Sequence, residues 1–228
     1  MRLNAPRIAP VPQEQWTPEQ AEIAAPILEK RGKLLNIFRT QLAHPDAMRA
    51  FLDFGGYVLS KRNTLPKRER ELVILRIGYL CRAGYEWTQH HEIGLRAGLT
   101  EEEIGRIKRG PEAPGWSAAD VALLRASDEL HADQFITDAT WQALCAHFEP
   151  RQCVDLIYTV GQYTMVSMML NSLGVQLDEG LVLDPVYTGK AFAGFLSLAR
   201  SGRFDKKQSL LFVHTGGTPG LFGYPEAV

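Results

Sequence analysis

From Trp16 to Leu173 the apolar residues recur every three to four positions, and no segment in that span alternates with a period of two. That periodicity predicts helices throughout. Thr17-Pro18 reads as N-cap and first helical residue of an opening helix that reaches about Arg31, with Pro26 expected to shorten or bend it. A second helix is expected over residues 34–43. His44-Pro45-Asp46 ends it, and Asp46 is read as the cap of a third helix through Leu59 that directs Met48, Phe51, Leu52 and Val58 to a core. Pro66 opens a fourth helix to about Arg82, apolar almost all round and therefore central. Ala83-Gly84 interrupts it, and a fifth helix follows from Tyr85 to Ala97 with Gly98 just past its end.

Further along, Thr100-x-x-Glu103 is a capping box for a short helix, and residues 110–115 form a Pro/Gly loop. Ser117-x-x-Asp120 caps the next helix, residues 138–148 make another, and Pro150 opens a long apolar helix stopped by Gly174. The expectation is an all-α bundle of about eight helices over residues 17–178, preceded by a proline-broken extended arm over residues 1–16. The pattern changes at about Glu179. There LVLDPVYTGKAFAGFLSLARSGRF reads as a turn and a helix, and SLLFVHTGGTPGLFGY as a strand and a Gly-rich turn. A helix–strand appendage over residues 179–228 is foreign to a bundle and is read as a segment of separate origin.

Composition adds limits. The chain has 228 residues, 45% hydrophobic and 22% charged, which is enough to fill a core. With a net charge of −1 and a pI near 6.6 it carries no global basic field, so neither nucleic acid nor an anionic membrane is expected as a partner. No apolar run is long enough to span a bilayer, and the proline-broken N-terminus is not a secretory signal. Cys81, Cys145 and Cys153 fit neither a disulfide framework nor a C-x-x-C motif, and a reducing, cytoplasmic compartment is expected.

The candidate chemistry lies in residues 71–98, ELVILRIGYLCRAGYEWTQHHEIGLRAG, where Glu71, Glu86 and His90 interrupt apolar helical sequence. Glu86 and His90 are four apart and share a helix face. A carboxylate beside an imidazole can move a proton near neutral pH. Glu86 falls in the first turn of its helix, where the positive helix end favours a carboxylate. Glu71 reaches the pair only if its helix and the next fold back antiparallel. Spacing alone equally describes a solvated surface pair worth a few tenths of a kcal/mol. Tyr85 and Trp87 flank the site as candidate substrate contacts, Gly94 leaves room for a close approach, and no third ligand at a recurring spacing suggests a metal.

Arg70-Glu71-Leu72-Val73-Ile74-Leu75-Arg76, Tyr85-Glu86-Trp87-Thr88-Gln89-His90, Arg96-Ala97-Gly98-Leu99-Thr100, and Val160-Gly161-Gln162-Tyr163 to Asn171 resemble the carboxymuconolactone decarboxylase family, which includes the alkyl hydroperoxidase D-like proteins. The resemblance spans about residues 43–181. It implies an all-helical domain assembling as a homo-trimer or hexamer, and no cofactor. In the peroxidase branch a glutamate, two cysteines and a histidine act together. Glu71 matches the glutamate and His90 the histidine, while the cysteine positions fall on Ala83 and Glu86. Without those thiols a dithiol relay cannot run. The decarboxylase-like pattern remains: His90 as acid/base, Glu86 as its orienting partner and Glu71 as a second carboxylate, acting as a lyase or isomerase on a small unsaturated acid or lactone. A non-catalytic, ligand-binding relative is the alternative.

The tail, LDPVYTGKAFAGFLSLARSGRF and LLFVHTGG, resembles the C-terminal end of pyridoxal-phosphate enzymes of the D-cysteine desulfhydrase and aminocyclopropane-carboxylate deaminase group. Tyr187 matches a tyrosine near the substrate and Thr188 a residue near the cofactor's pyridine nitrogen. The Schiff-base lysine of that group has no counterpart in the fragment, so no pyridoxal-phosphate chemistry is expected.

Overall fold

A computed structural model describes residues 2–178. Nine α-helices make up this part of the chain, with no strand among the described residues: α1 (Pro18–Arg31), α2 (Asn36–Gln41), α3 (Pro45–Val58), α4 (Lys67–Leu80), α5 (Gly84–Ala97), α6 (Glu101–Ile107), α7 (Ala118–Asp133), α8 (Asp138–Cys145) and α9 (Pro150–Leu173). The arm before α1 carries one 3-10 turn, Gln13–Gln15. It is held on the helices by Arg7, whose N–H donates to the Leu173 carbonyl at 2.8 Å. Trp16 packs on the apolar cluster of Ile23, Leu34, Leu42 and Met48. The helix–strand appendage expected over residues 179–228, with Tyr187 and Thr188, lies outside the described residues. No described helix is long and apolar enough to cross a membrane.

Short hydroxyl side chains set four of the nine described helix starts, at Thr17, Thr100, Ser117 and Thr137. Thr17, Thr100 and Ser117 each close a capping box. The third helix departs from expectation. His44, not Asp46, caps α3, its Nδ1 accepting from the Ala47 N–H at 3.4 Å. Pro45 takes the first helical position, so the cap must be the residue before it, and Asp46 instead pairs with Arg49 at 3.5 Å. Pro26 does not shorten α1; it sits inside the helix on an exposed side, where the carbonyl it leaves unpaired can meet water.

Helix α4 is the axis of the fold. Residues Arg70 to Gly78 are all buried, and α5, α6, α7 and α9 pack around it. The break between α4 and α5 is made by Arg82 rather than by Ala83-Gly84. Arg82 adopts φ +52°, the Arg82 N–H returns to Tyr79 and the Ala83 N–H to Gly78. That is a Schellman closure with arginine in the place glycine usually takes. It turns α5 back along α4, and Gly94 then lies against Leu75, where an added Cβ would come within 3.2 Å.

A second close approach ties α4 to the loop after α6. The guanidinium of Arg76 pairs with Asp128 at 2.6 and 2.8 Å and donates to the Ile107 carbonyl at 2.8 Å. Gly110, at φ +80°, leaves only 2.7 Å between a notional Cβ and that guanidinium. Gly110→Ala therefore combines left-handed strain with displacement of a half-buried ion pair, and is expected to destabilise the fold by about 1–3 kcal/mol in urea melts.

Candidate active site

The antiparallel return of α5 brings Glu71 of α4 and His90 of α5 together. His90 Nδ1 lies 2.6 Å from Glu71 Oε2, and Nε2 lies 2.9 Å from Glu86 Oε1. Helix α9 adds a fourth member: the hydroxyl of Tyr163 is 3.1 Å from the same Nε2, with its ring edge-on to the imidazole at 5.0 Å between centroids. All four residues are at most 5% exposed. The solvated-pair reading of Glu86 and His90 is thereby excluded.

Burial by itself would drive the imidazolium pKa down. The charge of Glu86 and hydrogen bonds to Glu71 and Glu86 outweigh that, and His90 is pushed up to about 10. At neutral pH the imidazole is then held in its protonated form. With both ring nitrogens protonated, Nδ1–H donates to Glu71 and Nε2–H to Glu86, with Tyr163 Oη a second acceptor nearby. Burial, reinforced by the charges of Glu86 and Glu71, holds the Tyr163 hydroxyl well above its ordinary value, so the phenol keeps its proton. That proton is not needed by Nε2, and an acceptor in the neighbouring space can take it.

That space is a cavity of about 390 Å³. Glu86, Gln89 and His90 of α5 and Gln162 and Tyr163 of α9 supply its polar side, while Ile27, Leu35, Phe38, Phe51 and Leu52 supply apolar walls from α1 to α3. Lys30 and Arg31, at the exposed end of α1, also border it. Glu71 does not; it approaches His90 from behind.

The two aromatic candidates separate. Tyr85 lines the cavity, 2% exposed, and its hydroxyl donates to Asp178 at 2.5 Å. Asp178 also accepts the Asn36 N–H at 2.5 Å, capping an α2 whose own N-cap, Leu35, has no side-chain acceptor. Trp87 lies elsewhere, in the main core, edge-on to Tyr79 at 6.0 Å and beneath the Lys108 ammonium. It is two residues on from Tyr85, so helical rotation carries it to the other side of α5. It has no place at the cavity. Sequence reasoning gives Tyr163 and Gln162 no role, although a Gln-Tyr pair inside the apolar run of α9 is the available signal.

Residues 45–129 match the model of the carboxymuconolactone decarboxylase family. In fold, the chain is similar to a peroxidase-related protein from Ralstonia eutropha JMP134 with an alkylhydroperoxidase AhpD core (TM-score 0.65, 19% identity, 75% of this chain and 93% of that one). It is also similar to a variant of the debrominase Bmp8 in complex with 2,3,4-tribromopyrrole (TM-score 0.63, 11% identity, 83% and 96%). Toward its C-terminal region the chain resembles a different group. A putative 1-aminocyclopropane-1-carboxylate deaminase from Pyrococcus abyssi is 31% identical over 163 residues, 66% of this chain and 48% of that protein. A D-cysteine desulfhydrase from Yersinia pestis is 56% identical over 50 residues, 22% of this chain and 15% of that protein. The chain thus spans less than half the length of either curated relative.

Proposed function

We propose that the carboxymuconolactone decarboxylase-like helical domain is a cofactor-free lyase that protonates a carbon of a small unsaturated acid or lactone as carbon dioxide leaves. The observation that carries this reading is His90, buried between two carboxylates at 2.6 and 2.9 Å on the wall of a cavity and pushed up to about 10. A group so rarely neutral at pH 7 is a poor base and a standing acid, which favours delivery of a proton over its abstraction. Isomerisation begun by His90 is disfavoured for the same reason.

Roles follow from which groups face the cavity. Glu71, behind the ring, holds His90 by Nδ1 and fixes its orientation. Glu86 borders the cavity and takes the Nε2 proton toward the substrate, with the Tyr163 hydroxyl beside it. This reverses the roles the sequence pattern gave the two glutamates. The carbon–carboxylate bond breaks, its electron pair enters the conjugated carbonyl system, carbon dioxide leaves, and the proton from the His90–Glu86 pair closes the carbon. Water then restores the proton. No step passes through residues after Asp178. The position matched to a cysteine in the peroxidase branch is Glu86 itself, so thiol chemistry at this place is replaced by proton transfer.

The test is a screen of unsaturated lactone acids and β-keto acids for carbon dioxide release, with His90→Ala as control. An unchanged rate in the folded variant overturns the reading.

We further propose a homo-oligomer, the assembly the family resemblance implies. Val154, Ile157, Tyr158, Met165 and Met168 form an exposed apolar stripe on α9, continued by Phe54 of α3, which lies edge-on to Tyr158. Light scattering is expected to return three or six times the 25.5 kDa chain mass. A monomer at micromolar concentration would rule this out.

A further inference from the structure

The charged residues that border the cavity fall into two groups. Glu86 and His90 are buried, whereas Lys30 and Arg31 are exposed, on the last turn of α1. With His90 protonated between two carboxylates, the buried group keeps a surplus negative charge. An acid entering the cavity is repelled there, and the cations on the exposed side are what can hold it. The end of a helix favours cations, which accounts for both positions but not for the direction Arg31 takes. Its guanidinium lies over the ring of Phe38, a wall residue, at 5.9 Å from the centroid. Its charge is also felt at the Tyr163 hydroxyl beside His90, where it opposes the rise that burial causes. Among the described residues neither Lys30 nor Arg31 has an ion pair.

Most of the remaining lining is apolar, Phe38, Phe51 and Leu52 among it. A bare lactone ring with one carboxyl group leaves much of the 390 Å³ unfilled, and a void beside apolar side chains forfeits their contacts. Nor is the carboxylate that departs the one suited to Arg31. A cation on that group stabilises the ground state and holds back the electron pair that must enter the conjugated system.

Building on the lyase reading, we propose that Arg31 seats a second carboxylate of the substrate, one that stays in the product, and that an aryl or extended alkyl spacer against Phe38, Phe51 and Leu52 joins it to the reacting acid. Arg31 is thereby a specificity-determining residue. Its planar fork suits a carboxylate as the Lys30 ammonium does not. Arg31 and Phe38 both precede the 45–129 stretch that matches the family model, so selection of this acid belongs to α1 and α2.

Three unreactive probes separate these elements in titration calorimetry at low ionic strength: 3-(4-carboxyphenyl)propanoate, its neutral analogue 3-(4-carbamoylphenyl)propanoate, and succinate, which has two carboxylates and no ring. The wild-type protein is expected to prefer the first over the second by about threefold to tenfold, the range for a charge-assisted hydrogen bond at an exposed arginine. It is expected to prefer the first over the third by about tenfold or more for the buried ring. Arg31→Gln should bring the carboxylate preference near one, keep the ring preference and melt as wild type does, since it breaks no ion pair. Arg31→Lys should keep a reduced carboxylate preference, and Lys30→Gln most of it. The inference is overturned by absence of binding of the first probe, by a carboxylate preference that is missing in wild type or persists in Arg31→Gln, or by an equal loss in Lys30→Gln (a diffuse surface field in place of a seat). Succinate binding as tightly as the aryl diacid overturns it too. Those results leave the proton-transfer reading standing if His90→Ala still abolishes carbon dioxide release. An Arg31-dependent preference without any His90-dependent turnover would support the carboxylate seat and sink the lyase.

Discussion

With a responsive lactone or β-keto acid in hand, His90→Ala is expected to lower kcat/KM by roughly 10²- to 10⁴-fold, the range that positioned acid–base groups contribute. The loss should fall on kcat, because the apolar walls that hold the substrate come from α1 to α3 and are untouched. The glutamates should divide. Glu86→Gln removes the carboxylate that borders the cavity, and its loss should approach that of His90→Ala. Glu71→Gln makes the same change behind the ring, where no proton passes to the substrate, so its effect should be smaller. If the two behave alike, the assignment of front and back fails. Alanine at His90 also leaves two buried carboxylates facing each other with no cation between them, an arrangement that costs about 3–5 kcal/mol. Circular dichroism and melting must therefore accompany the rates, with His90→Gln as the milder companion. Folded variants turning over within threefold of wild type would end the lyase reading.

How much of this arrangement was legible in the sequence depends on what fixed each part. Helix starts written in local chemistry were readable, because Thr17, Thr100 and Ser117 each satisfy N–H groups within three residues of themselves. The ends at Gly98 and Gly174, both left-handed, were readable for the same local reason. The turn at Arg82 was not, since nothing in an arginine announces positive φ; the antiparallel packing of α4 and α5 imposes it. Glu71, Glu86 and His90 stood out as polar residues in apolar helices, yet spacing could not choose between surface and interior. That choice is made by α9, which lays Tyr163 over the imidazole from 73 residues away. Tyr85 and Trp87 show the limit from the other side. The first turn of α5 is buried at every residue from Gly84 to Trp87, so periodicity marks no cavity side, and only the packed neighbours separate the two rings.

Stability should fall across alkaline pH where most proteins of this composition change little. His90 is raised from 6.5 to about 10 in the fold, so folding favours its protonated form. That contribution is fully present below pH 6.5 and is lost as pH rises toward 10. The groups facing the ring from α4, α5 and α9 are Glu71, Glu86 and Tyr163. Tyr163 is raised from 10, so its own proton comes off above the window in which His90 titrates. Elsewhere, burial lowers Lys108, an effect opposite in sign that both proteins in a paired comparison share. The comparison is wild type against His90→Gln, melted at intervals from pH 6 to 9.5. Several kcal/mol are at stake, on the order of 10 °C for a chain of this size. The wild-type melting temperature should drop through this range while that of His90→Gln, lower at pH 6, stays nearly level, so that the two curves converge. Parallel curves would mean that His90 is not held as an imidazolium between its two carboxylates, and the acid proposed for catalysis would not exist at neutral pH.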